Sequence, residues 1–211
     1  QGFCYNSKKD VFVLACINSE NTRQVIYELD PRTFDIVGTY KFRDANVLAH
    51  MNTLTYNPDT NLLYTTNAMI DGHRITTIDA DTMSIGNTIT IPERVFNLAY
   101  DKKTNQFMSI VPIDATMRRI NYYTSQFQLV QSKDIDANYD DYNNNGAFAN
   151  DGKTIFATLS TVITVDKTGN VTKIASFPKN LEIEDMDMRH NIMYAAVNMN
   201  HKVFIYTMLN Y

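Results

Sequence analysis

Six basic side chains fall in segments that also carry carboxylates and amides: His50, His73, Arg74, Arg94, Arg118 and Arg119. An Arg fork binds phosphate or carboxylate through two parallel hydrogen bonds, and an Asn amide both donates and accepts. The Asn residues needed for the second role lie close by, at Asn52, Asn97, Asn144 and Asn145. His50, Asn52, His73, Arg74, Arg94, Asn97, Arg118, Asn144 and Asn145 are therefore the candidate contacts for a ligand rich in hydroxyls and phosphates. Arg118 and Arg119 adjoin on a strand end, so only one of the two can face a given ligand. The competing reading is that these are ordinary exposed loop residues. In that reading His50 hydrogen-bonds across a channel entrance, and Asn52, Asn97 and Asn144 cap strand starts through side-chain to backbone bonds.

Signals for catalysis are weak. The chain has no Gly-x-Ser-x-Gly elbow, no Gly-rich phosphate loop and no His-Glu-x-x-His. Glu182, Glu184, Asp185 and Asp141 offer a carboxylate pair for a hydrolase, the first alternative function (glycosidase, lactonase or phosphodiesterase). Asn52, Asn97, Asn144 and Glu182 offer an oxygen ring for calcium. Both ideas rest on position alone, so the expectation is a protein that is not an enzyme, with no cofactor and no metal. A protein-interaction scaffold is the second alternative, and it would present a large apolar patch on one face.

The elements that must position these residues repeat. An alternating strand, a polar turn and an apolar strand occur as Phe3-Cys4-Tyr5 before Val11-Phe12-Val13, Leu54-Thr55-Tyr56 before Leu62-Leu63-Tyr64, and Leu98-Ala99-Tyr100 before Gln106-Phe107-Met108. Further copies are Ala147-Phe148-Ala149 before Thr154-Ile155-Phe156 and, more weakly, Asp185-Met186-Asp187-Met188 before Ile192-Met193-Tyr194. Asn, Asp, Gly and Pro fill the turns, as tight hairpins require. A third strand and an Asp- or Thr-led turn follow in each copy, at Asp30, Asp79, Thr124, Asp166 and Thr207, at intervals of roughly 40 to 50 residues, the period of a propeller blade. The pattern predicts an all-β, five-bladed β-propeller of four-stranded antiparallel blades in a single domain, with blades near 1–44, 45–93, 94–137, 138–178 and 179–211. The fifth copy runs out at Tyr211 without its fourth strand, so the missing strand is expected from residues before Gln1 or from another chain. The polar tract Asp134 to Asn145 reads as an irregular loop. Blade-to-blade loops and the loops joining second to third strands share one face of such a ring, and all nine candidate residues map there.

Composition narrows the partners. A net charge of -4 over 211 residues gives no clustered basic surface for nucleic acid. No apolar run approaches the roughly 20 residues that span a bilayer, so no membrane partner is expected. The start lacks both an initiator Met and a signal-peptide pattern, which reads as a piece of a longer protein. Cys4 and Cys16 read as free thilos of a protein made in a reducing cytoplasm, with Cys4 opposite about Leu14 and a disulfide open only on the diagonal. Tyr122 and Tyr123 read as strand packing, and the 10 Met residues as core filler.

The stretch His50-Met51-Asn52-Thr53-Leu54-Thr55-Tyr56-Asn57-Pro58-Asp59-Thr60-Asn61 resembles a motif of receptor-binding proteins from bacteriophages that infect staphylococci and related Gram-positive bacteria. Gln1-Gly2-Phe3, Leu98-Ala99-Tyr100-Asp101 and Ala147-Phe148-Ala149-Asn150-Asp151-Gly152 fit the same pattern. Ala49 stands where that family usually has Gly before the His, and Thr53 where it usually has an acidic residue. The resemblance implies a propeller head at the virion tail tip, made in the bacterial cytoplasm and carried as a homotrimer on a stalk. It also implies host attachment through a cell-wall glycopolymer, wall teichoic acid, a phosphodiester polyol bearing N-acetylglucosamine.

Overall fold

The computed structural model describes residues 1–18, 20, 22–42, 48, 50–67, 72–114, 116–136, 144–150, 153–158, 160–166, 168–178 and 180–208, with backbone alone for 144–150, 153–158 and 174. The described strands form five antiparallel sheets in chain order. They are β1(Phe3–Asn6), β2(Val11–Ile17), β3(Gln24–Leu29) and β4(Ile36–Phe42); β5(Leu54–Asn57), β6(Leu62–Thr66), β7(Arg74–Asp79) and β8(Ile85–Thr90); and β9(Ala99–Asp101), β10(Gln106–Pro112), β11(Met117–Thr124) and β12(Leu129–Asp136). The last two sheets are β13(Asn144–Asn150), β14(Lys153–Thr158), β15(Thr161–Val165) and β16(Val171–Ser176), then β17(Glu182–Arg189), β18(Ile192–Met199) and β19(Lys202–Met208). Each sheet is a simple meander, because short polar turns join strands already adjacent in sequence.

Alternation along the strands sends apolar residues to both faces of each sheet, so every sheet needs two neighbours. Five apolar seams supply them. Cys4, Val13, Leu54 and Ile78 fill the seam between blades one and two, and Tyr64, Ile75, Phe107 and Tyr123 the next. Ile110, Ile120, Ile163 and Val165 join blades three and four, and Val162, Ile183, Met193 and Val197 join four and five. The last seam closes the circle: Phe3, Phe12 and Leu29 of blade one pack on Tyr194 and Ala196 of blade five. Phe12 stacks on Phe3 at 4.9 Å between ring centroids and meets Tyr194 at 4.7 Å. The fold is a five-bladed β-propeller.

Closure creates a backbone problem. The innermost strand of each blade has a ladder partner on one edge only, and an unpaired buried N–H costs about 1–3 kcal/mol. Side chains of the adjacent inner strand solve it. Asp185 Oδ2 accepts from the Phe3 amide at 2.8 Å, the Leu54 amide at 2.9 Å and the Thr53 hydroxyl at 3.2 Å, while its Oδ1 accepts from the Met186 amide at 2.9 Å. One fully buried carboxylate thus ties blades one, two and five together. Asp187 accepts from the Tyr5 amide at 2.6 Å, and Thr55 Oγ1, at the matching position two residues before the turn, accepts from the Tyr100 amide at 3.1 Å. On the hairpin side, Arg189 forks onto Asp10 at 2.9 and 3.2 Å, and the Tyr5 hydroxyl donates to the same carboxylate at 2.6 Å.

Two details differ from the sequence reading. Cys4 lies opposite Val13 rather than Leu14, because the β1–β2 turn is one residue tighter than expected; both cysteines are free thiols. Asp134 to Asp136 continue β12 instead of starting a loop, since Arg119 on β11 pairs with Asp134 across the ladder at 2.6 and 2.9 Å. Only residues 137–143 of that tract lie outside the described residues. Among the described residues blade five has three strands.

Asp185→Ala leaves the Phe3 and Leu54 amides without an acceptor and should lower unfolding free energy by about 3 kcal/mol or more, whereas exposed Glu20→Ala should stay within about 0.5 kcal/mol; urea unfolding measures both. A second expectation concerns pH. Burial pushes the Asp187 carboxyl up to about 6, above the unfolded value of about 3.9. The folded state therefore holds this proton more tightly, and the stabilisation is complete below about pH 4 and lost as pH rises through 6. Asp187→Asn cannot titrate, so its melting temperature should gain on that of the unsubstituted protein between about pH 4 and pH 7. Parallel melting curves across that range would contradict this.

Candidate functional site

The hairpin face owes its polar residues to the turns. Asn6 Oδ1 accepts from the Lys8 and Lys9 amides, Asn57 Oδ1 from Asp59 and Asp101 Oδ1 from Lys103. A tyrosine clip recurs beside them: Tyr5, Tyr56 and Tyr100 donate to Asp10, Asn61 and Asn105 at 2.6, 2.9 and 3.0 Å. Each acceptor has a left-handed backbone, with φ of 53, 57 and 54°, which Asn and Asp tolerate best among non-Gly residues. Backbone amides of the outer turns hold the Asp30 and Asp79 carboxyls below the usual range, and the Thr168 hydroxyl, with backbone amides, does the same for Asp166. Local hydrogen bonding accounts for these residues.

The opposite face holds a polar cavity of about 590 Å³ between blades five and one. Its wall includes Gln1 at the start of blade one, Cys16 on β2 and Asn18 just after it, Glu184 from β17, Asn198 near the end of β18, His201 from the β18–β19 turn, and His50 from the segment leading to β5. Glu184 is 5% exposed and accepts from Asn198 Nδ2 at 3.1 Å. Burial, with Glu182 adding, pushes its carboxyl above the usual carboxylate range against the pull of the Gln1 ammonium and the Asn198 bond. Burial lowers the pKa of His50 and raises that of the Cys16 thiol, so Cys16 is no activated nucleophile. His50 Nδ1 and Asn198 Oδ1 are buried without a hydrogen-bond partner.

Among the described residues, His50 is the one candidate that lines this cavity. Asn52 is half-buried close by in sequence, with its amide on Thr66 O at 3.2 Å and its Oδ1 unpaired. His73, Arg74 and Arg94 are exposed and form a separate group at blades two and three. Backbone bonds hold that group together: the Ile91 amide donates to His73 O at 3.0 Å and the Val95 amide to Gly72 O at 2.6 Å. A Cβ on Gly72 would come within 2.7 Å of Arg94 Cγ, so Gly is required for this approach. The Arg94 guanidinium lies 4.4 Å from the centroid of the Phe96 ring, a cation–π contact. Asn97 is fully buried and accepts from the Ile110 amide at 3.0 Å. Arg118 is 1% exposed and donates from Nη1 to Asp114 O at 2.9 Å and Met117 O at 3.1 Å, which makes it a support for its own loop. Arg119 is the outward member of that pair. Asn144 and Asn145 begin β13, and their side chains lie outside the described residues.

The sequence reading named Glu184 only as one of several carboxylates and missed Asn18, Asn198 and His201. The signal was present: Asn198-Met199-Asn200-His201 is the fifth copy of the loop that carries His73 in blade two. Asp185, one of the four carboxylates from which a catalytic pair was expected, instead accepts four hydrogen bonds and holds the ring together. Asp141 lies outside the described residues. Among the described residues no group of three His, Cys, Asp or Glu is placed to hold a metal ion.

No protein-family model matches the chain, and no curated protein matches it. Solved structures do match in fold. A chain of the nidogen–laminin complex aligns at TM-score 0.61 and 8% identity, covering 92% of this chain and 70% of that one. Hydrazine synthase of Kuenenia stuttgartiensis aligns at TM-score 0.56 and 13% identity, covering 97% of this chain and 63% of that one. The WD40 repeats of RRP9 align at TM-score 0.54 and 13% identity, covering 95% and 61%. At such identities the likeness shows the propeller fold alone, and the chain spans under two thirds of the hydrazine synthase and RRP9 chains.

Arg118→Ala should destabilise the domain by about 3 kcal/mol, because it opens a cavity and strands two carbonyls, whereas Arg74→Ala should stay within about 0.5 kcal/mol. Chemical denaturation distinguishes the two; equal effects would contradict the buried placement of Arg118.

Proposed function

We propose that this propeller is a non-catalytic binding head that attaches a bacteriophage tail tip to its host by recognising cell-wall glycopolymer, wall teichoic acid. The observation that carries the reading is the division of one face into two chemically distinct zones. The polar cavity between blades five and one suits the hydroxyls of a sugar or polyol. The exposed His73, Arg74 and Arg94 group suits phosphodiesters of the same chain. A repeating polymer can occupy both zones at once. The sequence resemblance around His50 to Asn61 supports the same assignment. Modest affinity at each site is adequate for a head displayed in several copies, as on a trimeric stalk, because linked sites multiply effective concentration.

Adsorption to purified cell walls with and without teichoic acid tests the reading. Walls that retain the polymer should bind the domain, and stripped walls should not. Combined Arg74→Ala and Arg94→Ala should weaken adsorption about tenfold and flatten its salt dependence. Equal binding to both wall preparations would end this assignment.

A further inference from the structure

Two repeat positions seal the seams toward the hairpin face. One is the first residue of a blade's second strand, and the other is the left-handed residue in the outer turn of the next blade. Val11 and Met83 take these positions between blades one and two, Leu62 and Phe127 between two and three, and Ile192 and Phe34 between five and one. The turn residues match in backbone: Phe34, Met83, Phe127 and Gly169 have φ of 61, 56, 60 and 89°, and each amide donates to the residue that leads its turn.

Between blades three and four the pair is Gln106 and Gly169. The apolar cluster of that seam includes neither. Lys133 lies against the bare glycine, where an added Cβ would come within 2.7 Å of its Nζ. A cavity of about 260 Å³ remains, with Asp101, Thr104, Gln106, Tyr122, Gln131 and Lys133 on its polar wall. Tyr122 and Gln131 stand in one row across β11 and β12 with Met108 of β10, which adds apolar surface. Thr104 belongs to the β9–β10 turn, so the cavity lies at the hairpin end of its seam, away from His50 and Glu184.

Thr104 and Gln131 are exposed and Gln106, Tyr122 and Lys133 half-buried, so a ligand can reach them. Lys133 only donates, whereas the two amides and two hydroxyls both donate and accept. A phosphate would meet the field of the Asp101 carboxylate, which holds the Lys103 amide at 2.9 Å. A metal cation would meet Lys133, and among the described residues no group of three His, Cys, Asp or Glu is placed to hold one. An apolar ligand would strip the amides of water without replacing it. Hydroxyl groups both donate and accept, and they match this wall. The volume is below the roughly 300–1,000 Å³ of sites for drug-sized ligands, which suits a single small unit.

We infer that the seam between blades three and four is a second binding site, for one small polyol or neutral sugar unit, formed by Gln106 and Gly169 where other seams carry an apolar seal. It does not depend on what the opposite face binds.

Titration with glycerol, glucose, tetrahydropyran and inorganic phosphate tests it, followed by NMR at the Gln106 and Gln131 side-chain amides and the Thr104 backbone amide. At least one of glycerol and glucose should give saturable shifts there. Tetrahydropyran, the ring of glucose without its hydroxyls, and phosphate should bind at least about tenfold more weakly. Gln131→Ala, at an exposed position, should weaken polyol binding about tenfold. Gln106→Leu, which installs the residue of blade two, should weaken it as much. The Gln131 substitution decides the matter if Gln106→Leu does not fold. No saturable shift at these amides, equally tight binding of tetrahydropyran or phosphate, or undiminished affinity in folded Gln131→Ala would overturn the inference. Shifts confined to Asn18 and Asn198 would place the ligand in the other cavity and overturn it as well.

Discussion

The buried carboxylate of Asp185 is the interaction on which the rest of this molecule depends. A ring of small sheets leaves the channel-facing edge of each inner strand without a ladder, and those amides must find acceptors. Asp185 takes amides from blades one and two while standing on blade five. It therefore acts where the first and last blades meet, the one junction that no connection between consecutive blades makes. The Thr53 hydroxyl, with one hydrogen to share, lies 3.2 Å from Asp185 Oδ2 and 3.3 Å from Leu98 O, which brings the network to the edge of blade three. Burial pushes the Asp185 carboxyl up, against three backbone amides that favour its charged form, and a group so placed works only if its whole hydrogen-bond shell is retained.

The same junction makes the cavity. Glu184 precedes Asp185 on β17, so the strand that closes the ring also carries the carboxylate of the site. A β-bulge between Ile183 and Asp185 shifts the register there. Bulges bend a strand and re-aim its side chains, and this one falls where Glu184 lines the cavity and Asp185 accepts amides of the neighbouring inner strands. The cavity and the closure of the ring are thus linked through adjacent residues of β17.

The sequence made the repeat architecture legible because propeller blades are local: each is a meander whose turns need Asn, Asp, Gly or Pro. The tyrosine clips were not legible, since Tyr5, Tyr56 and Tyr100 read as ordinary strand apolar positions until their hydroxyls are placed on Asp10, Asn61 and Asn105. The site was readable only to the level of a face. His50, His73, Arg74 and Arg94 share it as the repeat implies, but which blades approach closely depends on packing between distant segments. Arg118 and Asn97 show the limit. Their types suggested ligand contacts, while burial and backbone partners make them supports. Asp185 shows the converse: its type suggested acid–base chemistry, and only long-range geometry reveals an amide acceptor.

Native-state hydrogen exchange of the Phe3 and Leu54 amides tests the central claim most directly. Both are on inner strands and neither is held there by a neighbouring blade's backbone, so their protection reports on Asp185 itself. The account predicts that they exchange as slowly as the ladder amides of β2, through global unfolding only. Exchange as fast as that of exposed turn amides such as Ser7 would show that the carboxylate does not close the ring.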